Sequence, residues 1–262
     1  MKDFSFNTIS NQPTAKAFFL ALSLLTRLPI PELENIDAQD SGRSALFYPL
    51  IGLIIGLILY LPVFLFPQAS PLLLAAIVTV MWAMITGGLH LDGIADSADG
   101  WLGGADDKEK TLKIMKDPVV GAAGAIAIVC ILLLKFAVLS ALFQQASSLD
   151  NIYIGAIIIL APFIGRVMIL LLMLVSENAN PNSMANDVVN HLARNKVAWV
   201  IGISFLILAF FSFLGLAFAL VVFGFTRRLM HKRLGGYTGD TLGATVEITE
   251  VMYLIAYALH LS

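Results

Sequence analysis

Charge is scarce in this chain. Asp, Glu, Lys and Arg make up 13% of its 262 residues, against about 25% in ordinary soluble domains. Hydrophobic residues make up 58%, and the mean hydropathy is +0.86. That composition excludes a water-exposed surface over most of the chain. The predicted fold class is all-α, a polytopic integral membrane protein with one transmembrane domain over residues 1–262 and no internal repeat. The short alternating segments of an outer-membrane barrel are missing. The single cysteine, Cys130, excludes an internal disulfide and a CxxC metal site. It lies in an apolar run, where buried packing is the expected role. The first 13 residues are polar and lack the charged-then-apolar order of a signal peptide. A net charge of −2 gives no reason to expect nucleic acid as a partner.

Apolar runs near the roughly 20 residues that a helix needs to cross a bilayer recur along the chain. The expected spans are 46–66, 71–91, 121–143, 152–175 and 242–261, with a long apolar stretch at 196–230. Residues 17–25 are too short to span. Lys16 before them and Arg27 after them suit an interfacial helix, with a short uncleaved span as the alternative. Gly52 and Gly56 form a GxxxG pair, which points to close helix packing.

The positive-inside rule orders these segments. Lys2, Lys16, Arg27 and Arg43 precede the first span, Lys108, Lys110, Lys113 and Lys116 follow the second, and Arg194 and Lys196 follow the fourth. The connections 67–70 and 144–151 carry no Lys or Arg. The cluster Arg227, Arg228, Lys232 and Arg233 falls on the same side only if 196–230 folds as a hairpin turning near 212–215. Seven spans result, with the N-terminus and the long polar loops 92–120 and 176–195 cytoplasmic and the C-terminus outside. A re-entrant pair at 196–230 satisfies the charges equally well.

Against that apolar background, His90-Leu91-Asp92-Gly93-Ile94-Ala95-Asp96-Ser97-Ala98-Asp99-Gly100 stands out. Asp92, Asp96 and Asp99 are spaced i, i+4, i+7, which on a helix places them within an arc of roughly 60°. Carboxylates that close repel one another, and packing gives no reason to gather them. A divalent cation resolves the repulsion, and carboxylate oxygens on a small-residue backbone suit Mg²⁺ or Mn²⁺. The alternative is a solvated acidic loop. His90 is as well suited to capping or hydrogen bonding as to substrate contact.

A second acidic segment runs Gly235-Gly236-Tyr237-Thr238-Gly239-Asp240-Thr241-Leu242-Gly243-Ala244-Thr245-Val246-Glu247. Asp240 and Glu247 share a helix face. The glycines permit a tight loop whose N–H groups are able to hold phosphate; alternatively Asp240 is the N-cap of the last span. Glu247 lies about two turns inside an apolar helix, where an ionised carboxylate requires a partner or water. Glu250 lies deeper, on a face turned away from Asp240. In the third segment, Asp117 and Pro118 read as N-cap and first residue of span three, and Lys116 is a candidate phosphate ligand. Arg166, inside span four, requires an acid or an anionic ligand. Snorkelling accounts for Lys135.

Carboxylates from two helices and nearby cations on one face suggest metal-assisted chemistry on a phosphate ester. With no Walker P-loop and no Ser/His/Asp arrangement, direct in-line transfer between two bound substrates is the simplest route.

Taken together, these segments resemble the cobalamin synthase family, the adenosylcobinamide-GDP ribazoletransferases. The resemblance rests on Gly87-Gly88-Leu89-His90-Leu91-Asp92-Gly93-Ile94-Ala95-Asp96 with Asp99-Gly100, on Thr26-Arg27-Leu28-Pro29-Ile30-Pro31, on Tyr48-Pro49-Leu50-Ile51-Gly52, on Ile114-Met115-Lys116-Asp117 with Gly121, and on Leu234-Gly235-Gly236 with Thr238-Gly239-Asp240-Thr241-Leu242-Gly243-Ala244 and Glu247. It covers nearly the whole chain in order; residues 176–195 match nothing. It implies a Mg²⁺-dependent transferase of bacterial or archaeal cell membranes that joins adenosylcobinamide-GDP to α-ribazole or its 5′-phosphate. The ribazole 3′-hydroxyl attacks the cobinamide-linked phosphorus and GMP leaves. The partners implied are the corrinoid nucleotide, ribazole and the lipid bilayer; the oligomeric state, homo-oligomer included, stays open. On this reading Asp92, Asp96 and Asp240 bind Mg²⁺ (or Mn²⁺), and Asp99 or Glu247 assists as ligand or general base. Lys116, Arg166 and Arg43 meet the pyrophosphate, and His90, Asp117, Gly236 and Thr238 contact substrate.

Two rivals remain at this stage. CDP-alcohol phosphatidyltransferases also cluster aspartates at a helix end, beginning Asp-Gly-x-x-Ala-Arg, but here Asp96 stands after Ala95 and the downstream Gly-x-x-x-Asp-x-x-x-Asp element is missing. An ion-coupled transporter brings its carboxylates to the midplane and often shows inverted repeats, whereas here they gather at one edge.

Overall fold

The structure, a computed structural model, describes residues 12–145, 151–180 and 185–261. Lys2, the middle of connection 144–151 and part of loop 176–195 lie outside the described residues. The helices are α1 (Pro13–Leu25), α2 (Ala38–Ser44), α3 (Tyr48–Leu65), α4 (Pro71–Thr86), α5 (Leu89–Gly103), α6 (Lys108–Ile114), α7 (Ala122–Gln145), α8 (Asn151–Val175), α9 (Ala185–Asn190), α10 (Arg194–Phe211), α11 (Phe213–Leu234) and α12 (Gly239–Leu261). A 3₁₀ turn, Ala45–Phe47, joins α2 to α3. No strand occurs among the described residues.

Among the described residues, six helices are long and apolar enough to cross a membrane, and seven if the bent pair α4–α5 is counted as one span. Within their apolar windows α8 is 83% buried and α12 72%, against 22–39% for the other four. These two therefore form the core, and the others turn apolar side chains outward, as lipid requires. The GxxxG pair serves packing, as its spacing suggests. A Cβ on Gly56 would lie 2.3 Å from the Ile159 carbonyl oxygen, and one on Gly52 would lie 2.7 Å from that of Pro162. The two glycines thus let α3 lie directly on α8.

The hairpin expected at 196–230 is present, with its break at Ser212. Arg194 at the start of α10 bonds the Leu174 carbonyl at the end of α8. Arg227, late in α11, donates to Ser176 Oγ at 3.0 Å and to the Val175 carbonyl at 3.1 Å. Ser212, between them, donates to Tyr253 Oη at 3.0 Å and lies 2.8 Å from Tyr257 Oη, near the far end of α12. Both polar ends are thus on one side of the bundle and the turn is on the other.

Other expectations change. The second span ends at Thr86 instead of 91. There Gly87 and Gly88, both left-handed at φ 62° and 70°, turn the chain by 86° into α5. The acidic segment is consequently a helix lying across the bundle end, and 92–120 is largely helical. The single cysteine is exposed on α7 instead of buried, along an apolar cavity of about 370 Å³ shared with α5, α11 and α12.

Candidate active site at the α5–α12 crossing

The site forms where α5 crosses the start of α12. The two backbones come together because neither residue at the crossing carries a side chain. A Cβ on Gly93 would stand 2.5 Å from the Asp240 carbonyl oxygen and 3.2 Å from Gly243 Cα. That approach sets the carboxylates of Asp92 and Asp96 beside that of Asp240. Asp92 is exposed, whereas Asp96 and Asp240 are half-buried. Burial first, and then the charges of Asp92, Asp240 and Asp99, push Asp96 up to about 7. Lys116, exposed after α6, is close enough to act electrostatically on Asp240.

The expected metal set Asp92, Asp96 and Asp240 therefore shares one face. As the side chains stand, no group of three or more His, Cys, Asp or Glu among the described residues is arranged to hold a metal ion. The donor chemistry nevertheless fits. The set consists only of hard carboxylate oxygens, no Lys or Arg among the described residues is ion-paired to any of the three, and their mutual repulsion is what a divalent cation relieves.

Asp99 has a different place. Its two oxygens accept the N–H groups of Gly121 at 2.7 Å and Gly124 at 2.9 Å, so it caps α7 from 22 residues upstream. The expected cap, Asp117, instead closes a local turn by accepting from the Val119 N–H at 3.0 Å. Its helix begins at Ala122 and not at Pro118. Nor is Asp240 the N-cap of the last span. Thr238 Oγ accepts the Thr241 N–H at 3.2 Å and Thr241 Oγ accepts the Thr238 N–H at 2.7 Å, which satisfies the helix start and leaves the Asp240 carboxylate to the site.

Gly236 and Thr238, expected at a phosphate loop, are both buried. Residues 177–179 lie beside them: the Tyr237 N–H donates to the Glu177 carbonyl at 3.0 Å, and the Ala179 N–H to the Tyr237 carbonyl at 2.7 Å. A Cβ on Gly236 would meet that Glu177 oxygen at 2.2 Å. The loop that matched no motif thus holds the approach to α12 in place.

Beneath the crossing lies a buried charge quartet. Lys135 Nζ is 2.8 Å from Glu247 Oε2 and 2.8 Å from Glu250 Oε2, and Arg166 pairs with Glu250 Oε1. Lys135, Arg166, Glu247 and Glu250 are each at most 2% exposed. Two positive and two negative charges balance, as a low-dielectric interior demands. Lys135 stands 4.2 Å from the centre of the Trp82 ring; it does not snorkel. Arg166 and Glu247 are thus occupied inside the bundle, and Glu250, turned away from Asp240, is the member that joins both cations. His90 is buried between this quartet and the crossing, with Nε2 unpartnered.

Arg43 is not brought to the carboxylate face; it lines a separate cavity beside α1 and α10. Arg27, which the sequence marked only as a flanking charge and a family match, lies at the α4–α5 bend. Its N–H donates to the Ile85 carbonyl at 2.7 Å, and its stem lies over Gly87, where a Cβ would meet Cγ at 2.4 Å. The exposed Arg27 side chain therefore overlies the bend that leads into Asp92. Only its companion motif hinted at this position.

The sequence profile of the family described as cobalamin-5-phosphate synthase matches residues 17–258. The chain belongs to that family. Proteins named adenosylcobinamide-GDP ribazoletransferase from Pseudomonas putida F1, Pseudomonas aeruginosa PAO1 and Acinetobacter baumannii ACICU are 42%, 40% and 42% identical to it. The matches cover 93%, 93% and 92% of this chain and 99%, 98% and 96% of the relatives. No solved structure matches.

Proposed function

We propose that this multi-pass membrane protein is an adenosylcobinamide-GDP ribazoletransferase, joining adenosylcobinamide-GDP to α-ribazole or its 5′-phosphate with loss of GMP. The observation that carries the reading is the α5–α12 crossing, where carboxylates 144–148 residues apart in sequence meet on one face (Asp92 and Asp96 with Asp240). Family membership and near full-length similarity to proteins of that name support it.

Asp92, Asp96 and Asp240 would hold Mg²⁺ or Mn²⁺. When bound, the ion supplies charge neutralisation at the transferring phosphate. Lys116, which acts on Asp240, and Arg27, at the bend that leads into α5, are the candidates for the pyrophosphate, a bidentate guanidinium contact in the case of Arg27. Asp99 positions α7 and Glu247 anchors α12, so neither serves as the base. Arg27→Ala is expected to raise the KM for the GDP-activated substrate roughly tenfold, in line with loss of one charged hydrogen bond; an unchanged KM removes Arg27 from the site. The Lys- and Arg-bearing side of the bundle, which holds this face, is assigned to the cytoplasm and the membrane to the cell membrane.

The deciding assay follows GMP release from adenosylcobinamide-GDP by the lipid-embedded protein, with and without α-ribazole and Mg²⁺. Release that requires both, with a cobalamin product, is the expected result; none from a folded sample overturns the reading.

A further inference from the structure

We propose that the cavity between α1, α2 and the start of α10 binds the phosphate of an anionic phospholipid headgroup. This inference is independent of the catalytic reading. The cavity has a volume of about 660 Å³, within the ~300–1,000 Å³ usual for small-molecule sites. Arg43, Lys196 and His191 line its polar part; Ala17, Leu46 and Phe47 line its apolar part.

The charge balance favours an anion. Arg43 is nearly half exposed, at 46%. Its guanidinium donates to Gln39 Oε1 at 3.2 Å and stands 3.8 Å from Asp40. Asp40 is itself taken up by Lys16, at 3.5 Å, and by the Asp37 N–H. Lys196 is exposed and enters no ion pair among the described residues. A guanidinium and an ammonium facing one cavity are the pairing that phosphate oxygens favour.

The depth of the cavity selects the source of that phosphate. Arg43 lies near the start of the 38–65 candidate span and Lys196 in the first turn of the Arg194–Phe211 span, while Ala17 belongs to an apolar helix too short to cross. Two candidate spans begin beside the cavity, which on this proposal sets the cations at the height of lipid phosphates. Leu46 and Phe47, half-buried and packed against the core, give the cavity an apolar wall beside these cations. The wall between α2 and residue 191 is closed by backbone contact, since a Cβ on Gly42 would lie 2.1 Å from the His191 carbonyl oxygen. The site is distinct from the carboxylate face. None of its lining residues belongs to α5 or α12.

The test uses the full chain in phosphatidylcholine bilayers doped with graded fractions of phosphatidylglycerol, and native mass spectrometry of the extracted protein counts retained lipid. Phosphatidylglycerol is expected to be retained by the unaltered chain and about tenfold less by Arg43→Ala/Lys196→Ala, given the contribution of each cation near an anionic surface. Arg228→Ala/Lys232→Ala, a pair exposed on the same side but outside the cavity, is expected to behave as the unaltered chain. Equal loss in both pairs overturns the proposal in favour of general charge attraction. Displacement of the retained lipid by soluble glycerol 3-phosphate overturns it in favour of a free phosphate. A thermal melt in pure phosphatidylcholine confirms that each variant is folded before lipids are compared.

Discussion

Gly93 and Asp240 meet backbone to backbone: a Cβ on the glycine would stand 2.5 Å from the aspartate's carbonyl oxygen. That contact joins the two acidic segments into one site. Gly93→Val is expected to force α5 off α12 at a cost of about 1–3 kcal/mol of stability. GMP release should be lost while the helical circular dichroism signal is retained. Normal turnover in this variant shows that the crossing does not align the carboxylates.

Asp92 and Asp99 share one helical face in the sequence but differ in employment: only Asp99 accepts the N–H groups that start α7. Asp92→Asn is expected to abolish Mg²⁺-dependent turnover with little change in melting temperature. Asp99→Ala removes the cap of α7 and is expected to cost about 0.5–2 kcal/mol, lowering the melting temperature while residual turnover keeps its Mg²⁺ dependence. Thermal melts and Mg²⁺ titrations of the two variants separate the roles. The opposite pattern would make Asp99 the metal-side residue.

Asp96 carries a pH signature. Its carboxyl is raised from 3.8 to about 7 in the folded protein, chiefly by burial and then by Asp92, Asp240 and Asp99. The folded state therefore holds a proton that the unfolded state releases near 3.8, and stability falls as pH rises through that window. Without divalent cations, the melting temperature at pH 5 is expected to exceed that at pH 8. Added Mg²⁺ should narrow the gap by stabilising the ionised form, and Asp96→Asn should flatten it. Melting temperatures at the two pH values, with and without Mg²⁺, check this.

Lys135 neutralises Glu247 and Glu250 inside the bundle. Lys135→Met leaves a buried negative charge unmatched and is expected to destabilise by about 3–5 kcal/mol. Lys135→Met/Glu247→Gln restores the balance with Arg166 and Glu250, and is expected to recover a large part of that loss. A double-mutant cycle on melting measures the coupling; additive losses would mean that the quartet is not a unit.

Composition and apolar run lengths determined the membrane class, and the spacing of Lys and Arg determined the hairpin at Ser212, because bilayer thickness and charge asymmetry act on sequence directly. The same holds for the carboxylate face of α5, since helical periodicity alone places Asp92 and Asp96 together, and for Gly52 and Gly56 as a packing seam. The tertiary structure decided what depends on partners distant in sequence. It gave Asp99 a cap to make, because the first N–H groups of α7 lie beside it. It moved Arg166, Glu247 and Lys135 into a neutral buried quartet, because charges inside a membrane bundle are stable only when matched. It gave residues 177–179 the backbone of Tyr237 to hold, and it brought Arg27 to the α4–α5 bend while leaving Arg43 at the cavity beside α1 and α10. Periodicity reports which face a residue occupies; only the fold reports what stands opposite it.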